Sequence, residues 1–278
     1  MKKINYILFS MSLFLIISCQ YTSNEPYTEL SKSLNNLIEK IEKLKKEKPR
    51  TYYVNVDKSG SKIAVDNNRE FQRFKRCIQH VFQKPDDQIV IIHTYENSSN
   101  VSNFHRYTLN TPYPNLSKDE EFDKRQYKVA MYLRNLKKEK QRILTKIQKK
   151  HFEVPANAKA SELLSSLYRF STDIKKHGHK RAYYYLAMTD GVEYSNIRTF
   201  NAKSPKLARE QGLEDAKKLS KKFDVPVDAF QSLEKVIFQL PSDSIMDTTQ
   251  QMNFVQEYWE EVFKYFGCPV IPDFGGCF

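Results

Sequence analysis

The chain has 278 residues, 40% hydrophobic and 28% charged, with 7 glycines and 11 prolines. That excludes a collagen-like or low-complexity chain, and the length suffices to bury a full core without a disulfide framework. The formal charge of +12 admits anionic lipid, a polyanion or a plain lysine-rich surface, because charge by itself selects no partner.

The first segment is a targeting signal rather than part of the fold. Lys2 and Lys3 precede an apolar run over residues 7–17, too short for a comfortable membrane span. It closes on "IISC", residues 16–19, which resembles a bacterial lipoprotein signal. That resemblance implies cleavage before Cys19, lipidation of Cys19 and an anchor in the bacterial cell envelope. Loss of residues 1–18 removes two lysines and no acids, leaving a formal charge of +10.

Residues 19–50 read as a polar spacer and then a helix. Leu30, Leu34, Leu37, Ile41 and Leu44 form a seam of alternating four- and three-residue steps, ending before Pro49. Two heptads are short for an independent coiled coil, so packing against the domain is expected over a self-associating stalk.

"TYYVNVD" at 51–57 reads as a buried strand, and "NREFQRFKRCIQHVF" at 68–82 as a helix. "DQIVIIHTYE" at 87–96 is a second strand, continuously apolar as one covered on both faces should be. "FHRYTLN" at 104–110 suits a short edge strand. Residues 118–152 are a basic helical insertion, with eleven Lys/Arg and one acid, Glu139, across 124–150. It suits a solvated face or contact with lipid or a partner. No aromatic stacking pattern or known motif points to nucleic acid.

"ASELLSSLYRFSTDI" at 160–174 reads as a helix, and "RAYYYLAMTDG" at 181–191 as a third buried strand. A helix follows, opened by Ser204 as N-cap with Pro205 in its first turn. "EKVIFQL" at 234–240 is a fourth strand, and the last helix closes at Gly267. Strands alternating with helices predict an α/β fold: a doubly wound, mostly parallel sheet flanked by helices, over residues 51–267, with 268–278 as a tail. Ligands of such sheets bind beyond the carboxyl ends of the strands, where Asp57 and Asp190 both fall.

Three cysteines follow Cys19, namely Cys77, Cys268 and Cys277, so one at least stays unpaired within the chain. No Cys/His zinc spacing is present. His177 and His179 in "KHGHK" read as a solvated turn.

Asp57, Ser59 and Ser61 fall at i, i+2 and i+4 directly after the first strand. Carboxylates with hydroxyls are a partial shell for Mg²⁺, a hard cation that takes few protein carboxylates. "YYVNVDKSGSK" at 52–62 resembles the first loop of the von Willebrand factor type A domain, whose metal-ion-dependent adhesion site begins D-x-S-x-S. Asp57, Ser59 and Ser61 match that motif. "AYYYLAMTDGVE" resembles the family's later strand and loop, with Asp190 as its second aspartate. "ASELLSSL" resembles the family's helix head, with Ser161 where the family has threonine. Lys58 and Lys62 depart from the small, apolar or methionine residues usual at those positions.

The resemblance covers residues 52–267 and implies a Mg²⁺ or Mn²⁺ site at Asp57, Ser59, Ser61, Ser161 and Asp190. It implies a protein partner whose Asp or Glu carboxylate completes the coordination, and a binding domain rather than an enzyme. It also implies that the first and last helices share one face of the sheet, so that Cys77 would pair with Cys268 or with Cys277. Two other readings fit the residues: an exported metal-dependent hydrolase, which would want a positioned histidine, and a metal-independent envelope protein docking through its basic helix.

Overall fold

Three tyrosine-rich or aliphatic runs, 51–57, 88–94 and 182–188, are buried at almost every position, and they form the middle of a sheet. The computed structural model describes residues 24–57, 67–94, 104–117, 119–153, 162–193, 195, 197–239 and 249–278. The elements run α1 (Asn24–Lys46), β1 (Arg50–Asp57), α2 (Asn67–Ile78), β2 (Gln88–Thr94), β3 (Phe104–Thr108), α3 (Phe122–Ile147), a π-helical turn (Gln148–Phe152), α4 (Leu163–His177), β4 (Ala182–Met188), α5 (Pro205–Phe223), β5 (Leu233–Gln239), α6 (Thr249–Tyr265) and β6 (Asp273–Phe274).

The sheet has the order β3-β2-β1-β4-β5-β6, with β3 antiparallel and every other pairing parallel. It is the doubly wound α/β fold expected from the alternation of strands and helices. From β1 the chain goes outward to β2 on one side and later to β4 on the other. The switch point therefore lies between β1 and β4, where such folds bind ligands.

Strand alternation divides the core in two. Tyr52, Val54, Val56, Ile89 and Ile91 face α2, the end of α3 and Phe152 of the π turn. Tyr53, Val90, Ile92, Tyr183 and Tyr185 face α4, α5 and α6. Trp259, Tyr258 and Phe263 of α6 are buried in that second cluster. The first and last helices of the expected domain thus lie on opposite faces, which departs from what the resemblance implied.

That arrangement decides between the two expected pairings, overturning Cys77 with Cys268 and leaving Cys77 with Cys277. Cys77 is buried among the α2-face residues, whereas Cys268 packs with the α6 face. The sheet stands between them. Cys77 is bonded instead to Cys277, with Cα atoms 4.8 Å apart, and Cys268 is a free thiol that donates to the Val270 carbonyl at 3.5 Å. Burial pushes the Cys268 thiol up to about 11. Residues 268–278 are correspondingly not a loose tail: Asp273 and Phe274 pair with Ile237 and Phe238 of β5, and Phe278 packs on Tyr52 and Tyr184.

At the opposite end of the sheet, the Asp87 carboxylate accepts from the backbone N–H groups of Arg50, Gln83 and Lys84 at 2.9–3.1 Å. This pins the starts of β1 and β2 together. α1 packs on α3 through Leu34, Leu37, Ile38 and Ile41 against Val129 and Tyr132, so the leucine seam is spent on the domain. Ser204 caps α5, its hydroxyl accepting the Leu207 N–H at 3.2 Å, with Pro205 next. Gly267, at φ +72°, ends the turn after α6. Among the described residues no helix is long and apolar enough to cross a membrane.

Candidate metal centre

The last residue of β1 and the turn after β4 meet at the switch point. Val56 is in register with Met188, which sets Asp57 beside Thr189. The Thr189 hydroxyl donates to Asp57 Oδ2 at 2.8 Å and lies 3.5 Å from Asp190 Oδ1. Asp57 is 5% and Asp190 8% exposed. Two carboxylates from adjacent parallel strands are thereby held around one hydroxyl, below the surface yet at its edge.

The turn that presents Asp190 is built by backbone hydrogen bonds. The Gly191 N–H donates to Thr189 Oγ1 at 3.1 Å, and the Val192 N–H to Asp190 Oδ1 at 3.0 Å. This local loop pattern is what Asp and Thr side chains favour. Gly191 has φ +78°, and a Cβ there would lie 2.7 Å from a Val255 methyl of α6. Its carbonyl accepts the Trp259 indole N–H at 2.7 Å. Glycine is required both for the backbone angle and for the close approach.

The head of α4 joins the same region. The Leu164 N–H in its first turn donates to Glu193 Oε2 at 3.0 Å. Glu162, directly before the helix, is buried. Of the residues read from the sequence, Asp57 and Asp190 are brought together as expected. Ser59, Ser61, Ser161 and Cys19 lie outside the described residues. Among the described residues no group of three or more His, Cys, Asp or Glu is placed to hold a metal. Thr189 and Glu193 are additions to the sequence reading. The "TDG" turn signalled the first; nothing signalled the second.

Glu193 is fully buried, and burial pushes its carboxyl up to about 8. Hydrogen bonds from Ser195 and the Leu164 N–H oppose that rise, and the Glu162 and Asp215 carboxylates add to it. A carboxyl at about 8 when folded, against 4.5 for the free group, keeps its proton in the fold where the unfolded chain loses it. Its contribution is therefore complete below about pH 4.5 and falls as pH rises toward about 8, by up to about 1.4 kcal/mol per pH unit. Glu193→Gln keeps an acceptor for Leu164 but cannot ionise. Its urea midpoint is expected to decline less between about pH 5 and about pH 8 than that of the native chain; parallel declines would refute the assignment.

Histidines were expected at no persuasive site, yet two pair. His151 Nδ1 lies 2.8 Å from His93 Nε2, and the Tyr107 hydroxyl 2.6 Å from His151 Nε2. Alternation puts His93 on the α2 face with Ile89 and Ile91. Asn55, two residues before Asp57 and so on the same side of β1, reaches Ser166 of α4 at 2.7 Å. His93 and Asp57 thus project from opposite faces of the sheet. His177 is 3.5 Å from Asp173. His179 lines a cleft of about 290 Å³ with Ile174, Pro226 and Asp228, at the other end of the sheet from Asp57.

No family model and no curated protein matches the chain. Among solved structures, manganese-loaded TRAP protein of Plasmodium vivax is similar at TM-score 0.38 and 14% identity, covering 82% of this chain and 68% of that one. The pilus adhesin SpaC of Lactobacillus rhamnosus GG, in its open conformation, is similar at TM-score 0.39 and 12% identity, covering 83% of this chain and 28% of that one.

Proposed function

We propose that the chain is an envelope-anchored binding protein that takes a protein partner through a divalent metal at the switch point of its sheet. The observation that carries this reading is the Asp57–Thr189–Asp190 cluster, with its 2.8 Å and 3.5 Å contacts at the carboxyl ends of β1 and β4. The donor set fits a hard cation: oxygens only, two of them buried carboxylates. Asp57, Ser59, Ser61, Ser161 and Asp190 would hold Mg²⁺ or Mn²⁺, as the resemblance to the von Willebrand factor type A domain implies. When bound, the metal supplies an electrophilic position for an outside carboxylate.

The chain's own part is to set the two aspartates. Thr189 spaces them, Gly191 bends the loop, and Trp259 holds that loop against α6. Anchoring would come from a lipidated Cys19. The arrangement favours binding over hydrolysis, because the paired histidines that would serve as a base project from the other face.

A thermal-melt titration with MgCl₂ or MnCl₂ tests the site without a partner. A ligand at about one hundred times its Kd stabilises by about 2.7 kcal/mol, which is a rise in Tm of roughly 5–10 °C for a chain of this size. The rise is expected in the native chain and not in Asp57→Ala. A flat response in both would sink the proposal.

A further inference from the structure

α3 carries charge that the fold does not use. Lys124, Arg134, Lys137, Lys138 and Lys146 are all exposed, Lys149 and Lys150 continue the series into the π turn, and Arg142, also exposed, lies 3.7 Å from the Glu139 carboxylate. Their companions are turned inward. Lys140 donates to the Gln79 carbonyl at 2.8 Å, and Lys128 to the Asn115 carbonyl at 2.8 Å. The one acid across 124–150, Glu139, has an 11% exposed side chain and accepts from the Asn110 and Thr111 N–H groups. Past the exposed Asp123 of its first turn, the exposed side of this helix of about 40 Å therefore carries lysine and arginine and no exposed acid.

Apolar groups stand within this cationic side. Tyr127 is 66% and Leu133 40% exposed. Tyr127, Arg134, Lys138 and Gln141 follow at seven-, four- and three-residue steps, which puts them on one stripe. Lysines flanking an exposed tyrosine match a bilayer interface, where aromatic rings sit at headgroup depth and cations meet anionic lipid.

The chain before α3 says where that surface lies. α1 packs directly on α3, and it begins at Asn24, five residues after Cys19. Five residues span at most about 18 Å. A lipid chain on Cys19 would hold the start of α1 within that distance of the bilayer, and the α1–α3 contact, which begins at Leu34 ten residues along the helix, within about 33 Å. We infer that the exposed face of α3 docks on the anionic lipid surface of the membrane that anchors the chain, as a second attachment that stops the domain from swinging on its tether. This borrows the anchor from the reading above, and not its metal.

The test floats the full chain with vesicles of phosphatidylcholine, alone or with roughly one third phosphatidylglycerol. Acetylation of individual lysines is read by mass spectrometry. Retention on the neutral vesicles reports the N-terminal segment, so failure of the anchor is seen separately. On anionic vesicles Lys137, Lys138 and Lys146 are expected to acetylate several-fold more slowly than in the free chain, while Lys206, 84% exposed on α5, keeps its rate. High salt should abolish the protection. So should Arg134→Glu combined with Lys137→Glu, read at Lys138 and Lys146, both substituted positions being exposed. Equal rates with and without anionic lipid, or equal slowing at Lys206, overturn the inference. Protection found in whole envelope fractions but not on anionic vesicles also overturns it, and assigns the face to a protein.

Discussion

Cys277→Ser is expected to destabilise the fold by about 4 kcal/mol. Cys77 and Cys277 are 200 residues apart in sequence, so their bond closes a very long loop. Chain-entropy gain grows with loop length, and loops of this order approach the top of the range. The bond also holds structure in place. Phe274 stacks on Phe238 with ring centres 4.8 Å apart, and Lys235 donates to the Cys277 carbonyl at 2.6 Å. A two-residue strand cannot keep such contacts unaided. The result expected is a Tm lower by roughly 10 °C, reproduced by adding reductant to the native chain. Cys268→Ser should leave the melt within about 2 °C of native, being a half-buried thiol in no disulfide, whose one contact with the Val270 carbonyl a hydroxyl can also make. A native melt indifferent to reductant would show that the bridge does not form.

Asp215→Ala is expected to cost about 3–5 kcal/mol. Asp215 on α5 is fully buried and accepts from Arg198 Nε at 2.8 Å and Nη2 at 3.0 Å. The Tyr258 hydroxyl on α6 donates to it at 3.1 Å. The bonds to Asp215 and Glu214 raise the Arg198 guanidinium above its ordinary range, and burial chiefly raises the Tyr258 hydroxyl. Alanine would leave the Tyr258 phenol without its acceptor and Arg198 with only the exposed Glu214 carboxylate, and that penalty exceeds the worth of the pair. The same carboxylate ties α5, α6 and the loop that carries Asp190. Urea unfolding measures the loss. The double variant Asp215→Ala with Arg198→Met should lose less than the sum of the two single variants, because no uncompensated charge remains. Strict additivity would show that the pair is not coupled.

The central strands were legible because each is covered on both faces over most of its length and so carries a β-branched, aliphatic or aromatic run: within 51–57, 88–94, 182–188 and 233–239. β6 was not, since Asp273 and Phe274 are too few to show any period, and the surrounding prolines and glycines read as a tail. The two aspartates were legible as carboxylates at the ends of such runs. Thr189 was hidden in plain turn chemistry, because its role depends on a register with β1 that only pairing reveals. His93 and His151 are 58 residues apart, and no spacing rule joins a strand to a π turn. The pairing of Cys77 depended on which face α6 occupies. α2 and α6 are both amphipathic, and an amphipathic pattern fixes which side of a helix is buried, not which side of the sheet it covers.

The two margins of the sheet are short and spoiled. β3 has five residues, none fully buried, and its Arg106 is taken up by Asp173 at 2.6 Å. β6 has two residues, followed three positions later by a disulfide. The runs most able to template strand-to-strand growth, in β1, β2 and β4, are all interior. A lipid-anchored protein is concentrated in two dimensions with its copies aligned, a setting in which an open edge would zip molecules together. On the proposed lipid anchor, blunt margins would let this chain crowd on a surface without assembling into fibres.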